Sequence, residues 1–211
     1  MSKKLFVFGD SVVHGIWDDE MGGWVNRLDV YLKQNFLSDN NFIEVYNLGV
    51  DGDTSENLLN RFEFETYQRT IPEQCDIFLI AIGVNDSAFL KNQDENFIPR
   101  IQFKENLQYI ITLAKKYSER IVFIGLTPVD EKITNSKEGV VCYKNEYIEE
   151  YDKIIKSVCE KNDLIFIDVL NEFKKGNHKK LLDGDGLHPN SNGHQKIFEI
   201  IKNSLLKNKI I

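Results

Sequence analysis

The sequence predicts an α/β fold: a three-layer α/β/α sandwich built on a five-stranded parallel sheet, flavodoxin-like in outline. Three observations carry that expectation. Five short apolar runs are spread along the chain, stretches of helical period separate them, and most of the runs are continuously apolar rather than alternating. Continuous apolar runs are how parallel strands covered on both faces read, and strands alternating with helices are the pattern of βαβ units.

The strand candidates are Leu5-Phe6-Val7-Phe8, then Ile43 to Leu48, Ile77 to Ile82, Ile121 to Ile124, and Leu164-Ile165-Phe166-Ile167. The intervening helices show apolar residues three or four apart. Val25, Leu28, Leu32 and Phe36 form one stripe, Phe103, Leu107, Ile110 and Ala114 a second, and Tyr147, Tyr151, Ile154 and Val158 a third. A shorter helix runs through Leu58, Leu59 and Phe62, capped by Thr54 or Ser55. A last one carries Ile197, Ile200, Ile201 and Leu205 and is capped by Asn190 or Ser191.

Composition bounds the function. With 211 residues, 42% hydrophobic and 28% charged, the chain reads as one globular domain spanning 1–211, large enough to fold without disulfides or a structural metal. Twenty-six Lys and Arg against 33 Asp and Glu leave a net charge of −7, which opposes nucleic acid or an anionic bilayer surface as partner. The apolar run after Lys3-Lys4 stops at Gly9-Asp10, short of a signal-peptide core, and no stretch has the length of a membrane span. A cytoplasmic location without membrane insertion is therefore expected. Cys75, Cys142 and Cys159 make no C-x-x-C pair and are expected as reduced, small apolar residues. Glycine-rich phosphate cradles are missing. The calcium-loop imitation at Asp51-Gly52-Asp53 has Glu56 where glycine is needed and Phe62 where the bidentate Glu belongs. No cofactor and no metal are expected; the oligomeric state is not legible.

In open parallel sheets ligands bind beyond the carboxyl ends of the strands, so chemistry is sought there. The first strand ends in Gly9-Asp10-Ser11, the second in Asn47 to Thr54, the third in Gly83-Val84-Asn85-Asp86 and the fourth in Thr127-Pro128. Asp183-Gly184-Asp185-Gly186-Leu187-His188-Pro189 lies beyond the fifth. Acyl transfer needs a nucleophile, a base, a group that orients the base, and donors for an oxyanion. Ser11, His188 and Asp185 supply the first three. The Ser11 and Gly52 N–H groups and the Asn85 amide supply the donors. Each also has a plainer use: Ser11 as a helix cap, His188 as a turn histidine, Gly52 and Asn85 as turn residues.

Taken together, Gly9-Asp10-Ser11, Gly52, Gly83-Val84-Asn85-Asp86 and Asp185-Gly186-Leu187-His188-Pro189 resemble the four blocks of the SGNH, or GDSL-type, hydrolases, in the family's order and across positions 9 to 189. The resemblance implies the SGNH hydrolase fold and a metal-free serine esterase or lipase-type acyl hydrolase. It implies a triad of Ser11, Asp185 and His188 and an oxyanion hole of Ser11, Gly52 and Asn85. The family usually has Leu or Ile and then Thr after the serine. Here Val12-Val13-His14 stand in their place, next to the nucleophile, where substrate preference is set.

The expected reaction is hydrolysis of a small-molecule carboxylic ester, short-chain or O-acetyl, through an acyl-serine. Lysophospholipid or acyl-thioester hydrolysis on the same triad is the alternative substrate reading, and a non-catalytic binding module the alternative class. Asp10, Val12, His14, Asp86 and Phe89 are candidate substrate-lining residues, with Asp10 and Asp86 first of all turn stabilisers, and Phe89 and Trp17 are read either as bordering an acyl pocket or as core filling. His178 and His194 are expected at the surface, and the polar stretch 129–141 as the lid of an open site.

Overall fold

In the computed structural model, which describes residues 3–36, 42–71, 76–135 and 139–211, the five apolar runs become the five strands of one parallel sheet. In chain order the elements are β1 (Lys3–Gly9), α1 (Ser11–His14), α2 (Trp24–Phe36), β2 (Ile43–Gly49), α3 (Ser55–Tyr67), β3 (Ile77–Ala81), β4 (Phe89–Leu90), β5 (Glu95–Asn96) and α4 (Arg100–Ala114). There follow β6 (Ile121–Ile124), α5 (Glu131–Thr134), β7 (Val141–Cys142), α6 (Asn145–Lys161), β8 (Ile165–Ile167), α7 (Val169–Lys174), a 3-10 turn at His178–Leu181, and α8 (Ser191–Lys207). The sheet order is β2-β1-β3-β6-β8.

Each central strand serves two cores at once. In β1 the aromatic residues Phe6 and Phe8 face one side, where they join Phe78 of β3 and Phe62, Leu107 and Tyr151 of the layer built by α3, α4 and α6. Leu5 and Val7 face the other side, against Trp24, Val25 and Leu28 of α2 and Ile197 and Ile201 of α8. Full burial of such side chains contributes about 1.5–3 kcal/mol each, which is why a run apolar on both faces specifies a central strand.

Two glycines set the height of the strand ends. Gly9 pairs with Gly49 on one side and Ala81 on the other. A Cβ on Gly9 would lie 2.2 Å from the Ala81 carbonyl oxygen, and one on Gly49 would lie 2.2 Å from the His14 amide. With no Cβ at either place, α1 sits directly on the ends of β1 and β2, so the segments after β1, β2 and β3 emerge together.

Some expectations shift in detail. The α6 stripe is centred on Ile148, Tyr151, Ile155 and Val158, with Ile154 at its margin and Tyr147 turned out to stack on Phe89. A second, three-stranded antiparallel sheet, β5-β4-β7, has strands of two residues, too short to leave a period in the sequence. Thr54 and Asn190 are the residues that cap α3 and α8. Cys142 and Cys159 are buried free thiols; Cys75 and the Phe36 side chain lie outside the described residues.

Candidate active site

Ser11 opens α1 because Asp10 stops the strand. Asp10 takes an extended conformation and its carboxylate accepts the Val12 N–H, a side-chain cap on the first turn. That places the Ser11 hydroxyl 2.8 Å from Nε2 of His188, which arrives from the loop before α8. On the other side of the imidazole, Nδ1 donates to Asp185 Oδ2 at 2.6 Å. The i−3 spacing works because Asp185 folds its own loop: Oδ1 accepts the N–H groups of Leu187 (2.8 Å) and His188 (3.0 Å). Burial works to raise the Asp185 pKa, but the His188 ring and these backbone donors outweigh it and hold the carboxyl below its ordinary range. A hydroxyl, an imidazole and a carboxylate held below its ordinary pKa range thus stand in one hydrogen-bonded line.

The donors expected opposite them come from two loops that the fold ties to α1. The Val50 N–H donates to the Gly9 carbonyl at 3.1 Å, and the Asn47 amide donates to the Val13 carbonyl at 3.0 Å. Gly52 has φ +77, and nothing lies within 4 Å of the position its Cβ would take, so backbone conformation rather than space calls for glycine. Asn85 donates one amide hydrogen to the Asp53 carbonyl at 2.9 Å and accepts the Tyr143 O–H at 3.2 Å. The Asp53 carbonyl, which can only accept, fixes which end of the amide is the donor, the Tyr143 hydroxyl holds the other end, and the second N–H is left uncommitted.

Arg61 underpins this corner and was not picked out in the sequence. Its guanidinium binds Asp53 at 2.7 Å and donates to the carbonyls of Leu48 (2.8 Å) and Gly9 (3.1 Å), joining the ends of β1 and β2 to α3. An arginine one position before buried Phe62 looks like the solvent face of a helix; only the strand ends above it show its task. Tyr143 is equally silent, since it reaches Asn85 across 58 positions of sequence.

The substrate-lining expectations divide. His14 is exposed beside the Ser11 turn and pairs with Asp51 at 2.7 Å, and Val12 borders a cavity of about 20 Å³ shared with Asp10, Val84, Leu126 and Thr127, whose lining includes neither Ser11 nor His188. Asp86 is fully buried, and its carboxylate accepts both the N–H (3.0 Å) and the hydroxyl (2.5 Å) of Ser55, so it anchors α3 instead of meeting a ligand. Asp10 is buried as well, and its work is capping. Phe89 stacks on Tyr147 with ring centres 5.1 Å apart, in a cleft whose walls include Asn96, Pro99 and Arg100 but no member of the triad.

Burial pushes Asp10 up to about 7, with the charges of Asp86 and Asp53 adding to it against the Val12 N–H. Burial pushes Asp86 up to about 6 against its bonds from Ser55.

Two histidines expected at the surface are not there. His194 is wholly buried, with Nε2 donating to the Ile16 carbonyl at 3.0 Å and Nδ1 accepting the Trp24 N–H at 3.3 Å. His178 is half-buried. The stretch 129–141 is tied down where it is described: Val129 is buried, Asp130 donates its N–H to Gly186, and Thr134 bonds the Tyr143 carbonyl through its hydroxyl. Among the described residues no group of three or more His, Cys, Asp or Glu is placed to hold a metal ion.

A family model described as GDSL-like lipase/acylhydrolase matches residues 7–196. A GDSL esterase/lipase of Oryza sativa subsp. japonica, WDL1, is 25% identical over 94% of this chain and 76% of its own. Among solved structures, a lipase/acylhydrolase from Enterococcus faecalis superposes with a TM-score of 0.75 at 25% identity, covering 96% of this chain and 95% of that one. The acetylxylan esterase Axe2 from Geobacillus stearothermophilus superposes with a TM-score of 0.74 at 20% identity, covering 96% and 93%.

Proposed function

The chain belongs to the GDSL-like lipase/acylhydrolase family and is an ester-cleaving hydrolase, and from that premise we propose that it cleaves short-chain or O-acetyl carboxylic esters through an acyl-enzyme on Ser11. One observation carries the reading: the unbroken line from the Ser11 hydroxyl through the His188 ring to the Asp185 carboxylate, 2.8 Å and then 2.6 Å.

In the mechanism this supports, Ser11 Oγ attacks the ester carbonyl carbon while its proton passes to His188 Nε2. Asp185 holds the Nδ1 hydrogen and stabilises the imidazolium without taking the proton. The carbonyl oxygen becomes an oxyanion facing the Ser11 and Gly52 N–H groups and the second N–H of Asn85. Such donors act where charge develops, so their weight falls on kcat. Collapse of the tetrahedral adduct breaks the C–O bond, and His188 returns its proton to the leaving alcohol. Water then repeats the sequence on the acyl-serine, releasing the acid and free Ser11.

The solved acetylxylan esterase provides a relative in fold that acts on acetyl groups.

The test is a chain-length series of 4-nitrophenyl esters with the wild-type protein and Ser11→Ala. The reading requires acetate to be hydrolysed fastest, a steep decline by octanoate, and loss of several orders of magnitude in kcat for a mutant that melts like the wild type. Equal activity in Ser11→Ala would remove the nucleophile assignment, and a preference for long chains would remove the substrate assignment.

A further inference from the structure

Trp17 holds a conformation that its side chain does not favour. Its φ is +65, one of four left-handed non-glycine residues among the described ones, and the only aromatic among them. Both neighbours are pinned. The Ile16 carbonyl accepts Nε2–H of buried His194. Asp18, also buried, accepts the N–H groups of Glu20, Met21 and Gly23 and two bonds from Arg27, each of those two 2.9 Å. Arg27 and its hydrogen bonds hold Asp18 down to about 2 against the upward pull of burial. A backbone strained and this heavily over-determined is found where the strain places something useful.

What it places is an indole N–H. Trp17 Nε1 donates to Asp185 Oδ2 at 2.9 Å, the same oxygen that receives His188 Nδ1. With the two backbone donors on Oδ1, the carboxylate is held by four N–H groups and has no freedom to rotate away from the imidazole. Trp17 itself is 55% exposed, so burial of the ring is not what fixes it there.

We propose that Trp17 is a positioning residue of the hydrolytic site: its N–H locks Asp185 in line with His188 and draws charge from Oδ2, which sets the pH at which the site becomes active. The inference rests on the hydrolase reading of Ser11, His188 and Asp185. The sign follows from charge. A second donor on Oδ2 weakens that oxygen as a partner for an imidazolium, so the neutral, base-competent ring persists to lower pH; removing the donor moves the acid limb upward.

The other charged groups that face this corner are left unsubstituted when Trp17 is changed. They are Asp183 on the same loop, Asp18, Asp19 and Glu20 after α1 with Arg27 on Asp18, His194 on α8, and Asp130, which pairs with Lys179 and donates its N–H to Gly186.

The experiment compares wild type with Trp17→Phe, and with a site-specifically incorporated tryptophan isostere that carries sulfur in place of the ring N–H. The isostere keeps the shape of the side chain if Phe disturbs the turn. Two readouts are taken: the NMR titration of the His188 ring, and kcat and KM on a small aryl acetate across pH. Both variants should move the ring titration and the acid limb of kcat/KM up by about half a pH unit, and lower kcat about 3–10-fold at unchanged KM. A ring titration and kcat that match the wild type overturn the proposal. So does a rise in KM alone, which would make Trp17 a substrate platform. Absence of ester hydrolysis in the wild type would instead strike the hydrolase reading, while the ring titration still decides the role of Trp17.

Discussion

Asp185 and Asp10 stand on two loops that meet at Ser11, and their environments are opposite. Asp185 is partly exposed and saturated with donors, four N–H groups on two oxygens, and it is held below the usual carboxylate range, burial notwithstanding. Asp10 is buried with few donors, chiefly the Val12 N–H, and burial lifts it to about 7. One carboxylate is prepared to stay charged while a neighbour becomes a cation; the other is a cap whose charge the fold tolerates poorly. Residue type is the same in both, so donor count and burial decide which is suited to chemistry.

The largest effect that tests this contrast is at Asp185. Asp185→Asn keeps the shape, removes the charge and permits the wrong imidazole tautomer, so kcat is expected to fall about 10³–10⁴-fold. Asp183→Asn, changed on the same loop, is expected to stay within about twofold, as for other partly exposed turn residues. Kinetics of both in one buffer decide the matter, and a more damaging Asp183→Asn contradicts the assignment.

Asn85 comes next. Asn85→Ala should lower kcat about 10²–10³-fold with little change in KM, because the oxyanion it faces exists only in the transition state. A mutant that chiefly raises KM makes Asn85 a ground-state contact. Tyr143→Phe removes only the hydroxyl that orients the amide and should cost about 3–10-fold in kcat; rates equal to wild type would mean that the Asp53 carbonyl alone fixes Asn85.

The smallest effect on rate and the clearest on stability belongs to Asp10. Its folded pKa lies above the unfolded value, so its contribution to stability is complete below about pH 4 and is lost as pH rises through about 7. Asn caps a helix as well as Asp does but carries no charge. Asp10→Asn should therefore raise Tm at pH 8, by an amount worth on the order of 1–3 kcal/mol, and the gain should shrink toward pH 5. A gain independent of pH, or a loss at pH 8, would show that the buried carboxylate is not what limits stability there.

The same contrast explains what the sequence could disclose. The strands were legible because a run apolar on both faces has few other uses, and the alignment of Ser11, His188 and Asp185 because Asp185 and His188 share one turn and Ser11 follows a strand. The residues that hold the site in shape were not. Arg61 and Tyr143 act through partners many positions away, and nothing local marks an arginine on α3 or a tyrosine after a two-residue strand as a support for an amide; Trp17 was legible only as a pocket-bordering or core residue, not as a donor to Asp185. His194 was misplaced for a related reason. A polar residue in the first turn of a helix looks solvated until the segment it bonds, Ile16 to Trp24, folds over it. Asp86 was half legible: its turn role shows in the sequence, its complete burial against Ser55 does not.

The central claim is that Ser11 is a nucleophile activated by His188, and covalent labelling tests it most directly. A fluorophosphonate probe should modify one serine per chain, mapped by mass spectrometry of the digest to the peptide containing Ser11. The labelling rate should fall by at least about 10²-fold in His188→Ala, since the neutral hydroxyl then lacks its base. Labelling at a different serine, or an undiminished rate without His188, would contradict the account.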